Sequence, residues 1–296
     1  MMTNLNQIYE SQILTCETKI TRLKKLLVIV SVTRFVSFLV VVTTPFYLYP
    51  VNAQAGVGLP LFALILFFFL VKKYQVLSRK KRFEQLKVKI NQQELEALRH
   101  NFSIFDSGEE FIDPGHINAY DLDLFGKGSL FQFVNRSVTR KGKIKLAEML
   151  QQPILAVEKL KRRQELILEL ADQNATNWRQ NFSTQGKMYD EEEQESLLLD
   201  KWGGEEFSLK TISFVRYLLV ILPALGIGTI LFWIYTGNVA LFLFSLVVQM
   251  IFWLVEKDNI KVLYDQFGKR ANILEKYGLL LQYIENFEWK SDEGKE

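Results

Sequence analysis

The chain has 296 residues, of which 49% are hydrophobic, and it carries 36 basic and 33 acidic side chains. This apolar content excludes a disordered chain, and the single cysteine, Cys16, excludes a disulfide framework and a cysteine-based zinc site. Two histidines are too few for a histidine-rich metal centre, and a net charge of +3 does not by itself indicate a nucleic-acid partner.

Four apolar segments predict transmembrane helices that form two hairpins. The first segment, residues 26–49, has one charge in 24 residues, and the second, 57–71, has none. The later pair covers 212–235, with only Arg216 charged, and 239–255. A bilayer core about 30 Å thick needs about 20 helical residues, and these segments lack the polar stripe of a soluble amphipathic helix. The sequence therefore predicts a mainly α membrane protein with transmembrane hairpins at 26–71 and 212–255.

Basic residues flank the first hairpin on one side only. Lys24 and Lys25 precede its first segment, Lys72 and Lys73 follow its second, and the link at 50–56 is uncharged. The positive-inside rule then places both termini, and the region between the hairpins, in the cytoplasm. The first apolar segment is too long and starts too late for a cleaved signal peptide.

One charge, Arg34, lies within the first predicted span, about 12 Å deep at about 1.5 Å per residue. An intramembrane charge is a candidate functional residue. The alternative interpretation is that the long side chain extends to lipid phosphates on the cytoplasmic side.

Three cytoplasmic parts complete the predicted organisation: an N-terminal helix over 1–25, a helical domain over 72–211 and a lever-like C-terminal helix within 256–296. In the middle part, Ser129 and Thr139 are predicted N-caps of two successive helices. A further helix is predicted over 156–172. The acidic run at 190–195 is interpreted as a solvated face.

The sequence contains no recognisable catalytic constellation. The stretch 126–129, Gly-Lys-Gly-Ser, lacks the spacing of a phosphate-binding loop and favours a turn before a helix cap. Asp121 and Asp123 are too few carboxylates for a hard cation, and His116 has no nucleophile near it in the sequence. We therefore expect this chain to have no catalytic residues, no cofactor and no metal site, and not to be an enzyme by itself.

A run of basic side chains lies between Gly126 and Leu146 with no acidic residue among them. Its members are Lys127, Arg136, Arg140, Lys141, Lys143 and Lys145. Such a run can contact nucleic-acid phosphates, bind anionic lipid or form an ordinary solvated face. Charge pattern alone leaves these three interpretations open.

Residues 116–170 resemble the core region of the MutS DNA mismatch-repair family. The resemblance rests on short motifs in the same order: Ser129-Leu130-Phe131, Asn135, Thr139, Gly142, Leu146, Leu150, Pro153, Arg163-Gln164 and Glu169-Leu170. The sequence of residues 121–126, together with the flanking apolar segments, is similar to that of a membrane-anchored bacterial subgroup of that family. The C-terminal helix over 277–289 is similar, more loosely, to the lever that leads to the family's ATPase domain.

The resemblance implies that this chain is a non-catalytic core and lever part, in a bacterial cytoplasmic membrane. In the family, such parts couple a C-terminal dimeric ABC-type ATPase to DNA. Here the mismatch-reading domain and its wedge are replaced by the first hairpin, and the DNA clamp by the second. No phosphate-loop lysine or Mg²⁺-binding acidic strand matches the family's ATPase.

ATP, Mg²⁺ and homodimer formation are therefore expected only through an ATPase domain beyond residue 296, which would make the full-length protein a DNA-dependent ATPase. DNA is a partner by resemblance and by the basic run, and the lipid bilayer is a partner through the apolar segments. The alternative function is a membrane scaffold whose helical domain binds protein or anionic lipid without nucleotide. A small transporter ranks third, because the spans lack polar site residues.

Overall fold

The structure is a computed structural model that describes residues 2–48, 50–113, 115, 121–152, 154–172, 176–189, 210–237 and 240–295. Within these ranges the chain is mainly helical and contains no strand, so the predicted mainly α class is confirmed. The helices are α1 (Met2–Leu48), α2 (Ala53–Leu98), α3 (Leu130–Val134), α4 (Arg140–Gln151), α5 (Val157–Ala171), α6 (Thr176–Lys187), α7 (Lys210–Thr236), α8 (Ala240–Glu285) and α9 (Asp292–Lys295), with a 3-10 turn at Glu109–Phe111.

The helices α1 and α2 form a long antiparallel hairpin. The side chain of Asn52 caps α2 by accepting hydrogen bonds from the N–H groups of Gln54 and Ala55, at 3.1 and 3.2 Å. Each helix is about 70 Å long at about 1.5 Å per residue. Because neither helix ends at residue 25 or 71, the boundaries predicted there mark a change from polar to apolar sequence within continuous helices.

Two helices are long and apolar enough to span a membrane, Leu5–Thr44 and Gln54–Leu98. Most of the side chains in their apolar windows are exposed rather than buried within the protein. In the second predicted hairpin, the described residues give shorter apolar stretches, Val220–Trp233 within α7 and Ala240–Leu254 within α8. Length and composition therefore show two helices that could span a membrane, and the other two predicted spans stay predictions.

The polar ends of α1 and α2, residues 2–25 and 72–98, form a stalk against which α6 packs. Lys87 is only 5% exposed, and its Nζ donates to Oδ1 of both Asn177 and Asn181 at 2.9 Å. Nearby, Nε2 of Gln180 donates to Oδ1 of Asn91 at 2.7 Å. These bonds satisfy a buried cation and buried amides, which would otherwise be costly to remove from water. They hold α6 along the stalk.

The described residues among 101–152 form the head, whose centre is the fully buried ring of Phe131. The rings of Phe111 and Phe125 lie 5.6 and 5.4 Å from it. Ser129 caps α3 by accepting from the N–H of Gln132, and Thr139 caps α4 by accepting from the N–H of Gly142. Both predicted caps are thus confirmed, and α3 is a short helix that ends at Val134.

The described chain divides into two compact units, and the second consists of residues 191–277. Within it, α7 and the first part of α8 are antiparallel. Trp233 stacks on Phe242 at 5.6 Å, and the hydroxyls of Thr229 and Ser245 lie 3.0 Å apart. Small and hydroxyl-bearing side chains allow close approach of helices in an apolar environment. The predicted fourth span and the predicted C-terminal helix are parts of the one helix α8.

Candidate functional site

The C-terminal residues 286–295, here called the latch, fold against α6. The indole of Trp178 lies 4.7 Å from the ring of Phe287 and 5.8 Å from that of Trp289. Its Nε1 donates to the carbonyl oxygen of Tyr283 at 2.9 Å, at the end of α8. On its other side Trp178 stacks on Phe182 at 5.3 Å. One side chain of α6 therefore holds both the end of α8 and the latch.

A carboxylate of α5 holds the other side of the latch. Oε1 of Glu169 accepts from the N–H of Lys290 at 2.6 Å, and Oε2 accepts from the N–H of Ser291 at 3.0 Å. Hydrogen bonding from Ser291 and Lys290 lowers the pKa of Glu169 below its usual value. Charge-assisted bonds to backbone N–H groups are stronger than neutral ones and fix orientation.

The helix α6 connects this latch to the rest of the first unit. Its Gln180 and its two asparagines bind the stalk, and its Trp178 binds the latch. At its C-terminal end, Gly186 lies against Val138 of the head, and a Cβ at Gly186 would lie 2.5 Å from the Cβ of Val138. Stalk, head and latch therefore meet on a single short helix, which we call the coupling joint (residues 176–187).

Most of the basic run is engaged within the chain. Arg136 forms a two-bonded ion pair with Glu94 of the stalk, at 2.6 and 3.2 Å, and its guanidinium carbon lies 3.6 Å from the ring centroid of Phe105. Lys145 pairs with Glu148 on the exposed face of α4 at 2.9 Å. The bidentate pair links α2 to the head across 42 residues of sequence.

Two further members of the run belong to a four-residue ion cluster in the head. Arg140 bonds the carboxylate of Glu110 at 2.6 Å, and Lys143 pairs with both Glu110, at 2.5 Å, and Asp106. Burial acts to raise the pKa of each carboxyl, but the hydrogen bonds from the basic side chains outweigh it, so both pKa values are lowered. Burial likewise acts to lower the pKa of Lys143, and its bonds to the two carboxylates raise it overall.

Lys143→Met is expected to destabilise the head by about 1 kcal/mol, a part-buried ion-pair effect, at neutral pH. A carboxyl with a lowered folded pKa stabilises the fold above its unfolded pKa, here 3.8 for Asp106 and 4.5 for Glu110. The difference in free energy of unfolding between the wild type and the variant should therefore reach its full size above these pH values. It should vanish as pH falls through the lower pKa values of the two carboxyls in the folded state. At the alkaline end, the wild type should lose its advantage as pH rises above 10.5 through the folded pKa of Lys143.

Urea unfolding of the full chain in neutral detergent, followed by circular dichroism across this pH range, measures the difference. Lys145→Met is the matched control, because its ion pair is exposed and should change stability little at any pH. Equal effects of the two substitutions would contradict the role of the ion cluster.

Lys127 and Lys141 are the members of the run without an ion pair among the described residues. The phosphate-loop interpretation of 126–129 gains no support. The N–H of Gly126 donates to the carbonyl oxygen of Ser107, and the N–H of Gly128 donates to Oε1 of Gln132. The stretch is a turn that leads into the cap of α3, as the spacing predicted.

Arg34 finds an aromatic partner across the first hairpin. Its guanidinium carbon lies 5.1 Å from the ring centroid of Tyr74 on α2. A cation over an aromatic face is stabilised where water is scarce. The sequence pattern, which offered no acidic partner within the spans, did not indicate this tyrosine.

His116 and the acidic run at 190–195 lie outside the described residues. The residues that sequence reasoning missed are the structural partners, namely Glu94 for Arg136, Asp106 and Glu110 for Lys143, and Trp178 for the latch. Only Glu169 was already part of a motif. No protein-family model, no curated protein and no solved structure matches this chain.

Proposed function

We propose that this chain is the membrane-anchored, non-catalytic core and lever part of a MutS-like protein. Two transmembrane hairpins would fix it in a bacterial cytoplasmic membrane, with both termini and the head in the cytoplasm. The coupling joint would transmit the position of the latch to the head and stalk. An ATPase domain after residue 296 would supply nucleotide-driven motion to the latch, and DNA would be the partner of the head.

The observation that carries this proposal is the mechanical continuity through α6. The latch is tied to α6 by Trp178 and to α5 by Glu169, while α6 is tied to the stalk by Gln180. A displacement of the latch must therefore strain contacts that also position the stalk. Such a path suits coupling, because packed helices move as units rather than deform continuously.

DNA binding tests the proposal through the two lysines that the fold leaves without an ion pair among the described residues. The Lys127→Glu, Lys141→Glu double variant should weaken binding of a 30-base-pair duplex to the full chain in phosphatidylcholine nanodiscs. It should also flatten the dependence of the logarithm of affinity on the logarithm of salt concentration by about 2, one for each lost phosphate contact. Fluorescence anisotropy across a salt series measures both quantities.

The matched control carries the same charge change on α5, as Lys159→Glu with Lys161→Glu, where both side chains are exposed. A change to glutamate at Arg140 or Lys143 would break an ion pair of the head, whereas neither of these double variants does so. Absence of DNA binding by the unchanged chain, or equal weakening by the two double variants, would refute the DNA part of the proposal.

The scaffold function is the second candidate, and the exposed side of α5 favours it. The apolar side chains of Val157, Leu160, Ile167 and Leu168 are exposed on this helix, and Leu155 is exposed just before it. Contiguous exposed apolar side chains on a helix are typical of interaction surfaces. Binding of the chain to a protein or to phosphatidylglycerol vesicles, with no affinity for DNA, would support the scaffold.

The proposed topology is tested by labelling single cysteines in a Cys16→Ser background. Val51→Cys, at the exposed tip of the first hairpin, and Tyr235→Cys, near the end of α7, should react with a membrane-impermeant maleimide in intact cells. Glu158→Cys in the cytoplasmic part should react only after permeabilisation. Protection of Tyr235→Cys in intact cells would contradict the second hairpin and leave the first standing.

A further inference from the structure

A cavity of about 550 Å³ opens among the start of α1, the end of α2, the head and α6. This volume is within the range of about 300–1,000 Å³ typical of small-molecule sites. The walls combine aromatic rings with cationic and amide groups, among them Tyr9, Phe133, Arg136, Arg179 and Gln180. All of these residues belong to the first compact unit.

Arg179 and Lys187 bring cationic groups to the cavity wall, whereas the other guanidinium there is already neutralised. Arg136 is bound by the carboxylate of Glu94. Half-buried Arg179 instead donates to the carbonyl oxygen of Leu170 and, at 2.9 Å, to Oγ1 of Thr176. A guanidinium has five N–H donors, and those left over have no acceptor among the described residues. An anionic group in the cavity would supply one.

Phe133 gives the cavity wall a flat apolar surface in addition to its charged groups. Its ring is 49% exposed, and it packs edge-to-face on Phe102 at 5.6 Å. The rings of Trp178 and Phe182 line the same cavity. A planar ring would therefore find aromatic surface in this wall that an anion alone leaves unused.

The position of the cavity along the stalk excludes a lipid headgroup as the occupant. Tyr9 precedes the apolar segment that starts at residue 26 by 17 residues in the continuous helix α1. At about 1.5 Å per residue this is about 25 Å from the start of the apolar segment. The ligand must therefore be soluble.

We propose that this cavity binds a soluble nucleoside monophosphate, with its phosphate on Arg179 and its base beside Phe133. The site is separate from the basic run and from the latch contacts of Glu169. The site itself does not depend on the proposed function, since neither DNA nor an ATPase domain contributes to it, but the exclusion of a lipid headgroup rests on the proposed membrane position of the first hairpin.

Isothermal titration calorimetry of the full chain in neutral detergent tests the site with adenosine monophosphate, adenosine and inorganic phosphate. Adenosine monophosphate should bind once per chain, and the two partial probes at least tenfold more weakly. Arg179→Gln should lower the affinity for adenosine monophosphate by about tenfold or more, because it removes a charge-assisted contact. Arg162→Gln, on exposed α5, is the control with the same change of charge and should bind as the wild type does.

Because Arg179 also bonds to Leu170 and Thr176, replacing it removes contacts within the fold as well as a contact with the ligand. A second variant therefore separates the effect on binding from the effect on folding. Phe133→Ala leaves the guanidinium in place and should reduce the affinity for adenosine monophosphate towards that for phosphate. Three results would overturn the proposal: no binding at millimolar adenosine monophosphate, unchanged binding in both cavity variants, or phosphate binding as tight as that of the nucleotide.

Discussion

Replacing Phe131 by alanine should lower the free energy of unfolding of the head by about 3–5 kcal/mol, the range for removing a buried aromatic ring. Phe131 is 0% exposed, and its ring contacts those of Phe111 and Phe125. Gly108 lies so close that a Cβ there would be 2.6 Å from Cδ1 of Phe131. The cavity left by alanine is therefore walled by groups that cannot all move into it.

Native-state hydrogen exchange measures this effect in the head alone, which matters because the chain has more than one compact unit. Amides in 105–113 and 121–135 should lose protection by about a hundredfold or more, since about 1.4 kcal/mol corresponds to tenfold. Phe133→Ala on the same helix is the control, because that ring is half exposed and should cost much less. Equal losses in the two variants would show that the head has no such core.

The contact with Gly108 gives a second readout of the same core. Gly108 has a φ of 66°, a conformation that favours glycine, so Gly108→Ala carries a backbone cost of about 1 kcal/mol whatever its neighbours. In the native head it should also force the ring of Phe131 aside. The cost of Gly108→Ala should therefore fall when Phe131 is already alanine, and strictly additive costs would contradict the contact.

Trp178→Ala should release the latch, at a cost of about 2–4 kcal/mol for a large aromatic side chain that is only partly buried. The substitution removes the ring contacts with Phe287 and Trp289 and the hydrogen bond to the carbonyl oxygen of Tyr283. We expect amides of 283–291 to lose protection from exchange, while amides of the head keep theirs. Glu169 alone would then hold the latch.

Trp178→Phe is the matched variant, because it keeps an aromatic ring and loses the Nε1–H donor. It should cost about 1 kcal/mol, the value of one hydrogen bond. Loss of protection throughout the first unit in Trp178→Ala would mean that the latch is an integral part of the core. An unchanged latch in that variant would mean that Glu169 suffices and would remove the coupling joint from the mechanism.

Local sequence signals predicted the parts of the fold that local chemistry determines. Ser129 and Thr139 cap their helices with their own side chains, so their role is visible within three residues of sequence. The apolar segment at 57–71 is likewise recognisable from its own uncharged residues. Helix α6 has no such signal, because most of its residues are polar, and it was not predicted. Its stability comes from distant partners such as Asn91 and Lys87.

The candidate site shows the same division. The basic run was visible as a pattern, but its chemistry depends on carboxylates 30 to 42 residues away, such as Glu110 and Glu94. Charge spacing cannot reveal which cations those carboxylates neutralise, and only Lys127 and Lys141 are left without an ion pair among the described residues. The latch depends on a hydrogen bond between Glu169 and Lys290, which are 121 residues apart in the sequence. A periodic sequence pattern cannot reveal a contact at that separation.

The unbroken passage of α2 from its apolar to its polar half has a geometric consequence for the head. Residues 72–98 carry the helix about 40 Å beyond the apolar segment without a joint. Membrane helices change their tilt when bilayer thickness changes. Over this length, a change of about 10° would move the far end by about 7 Å. If α2 spans a bilayer as proposed, the thickness of the lipid layer would thereby become a mechanical input to the head.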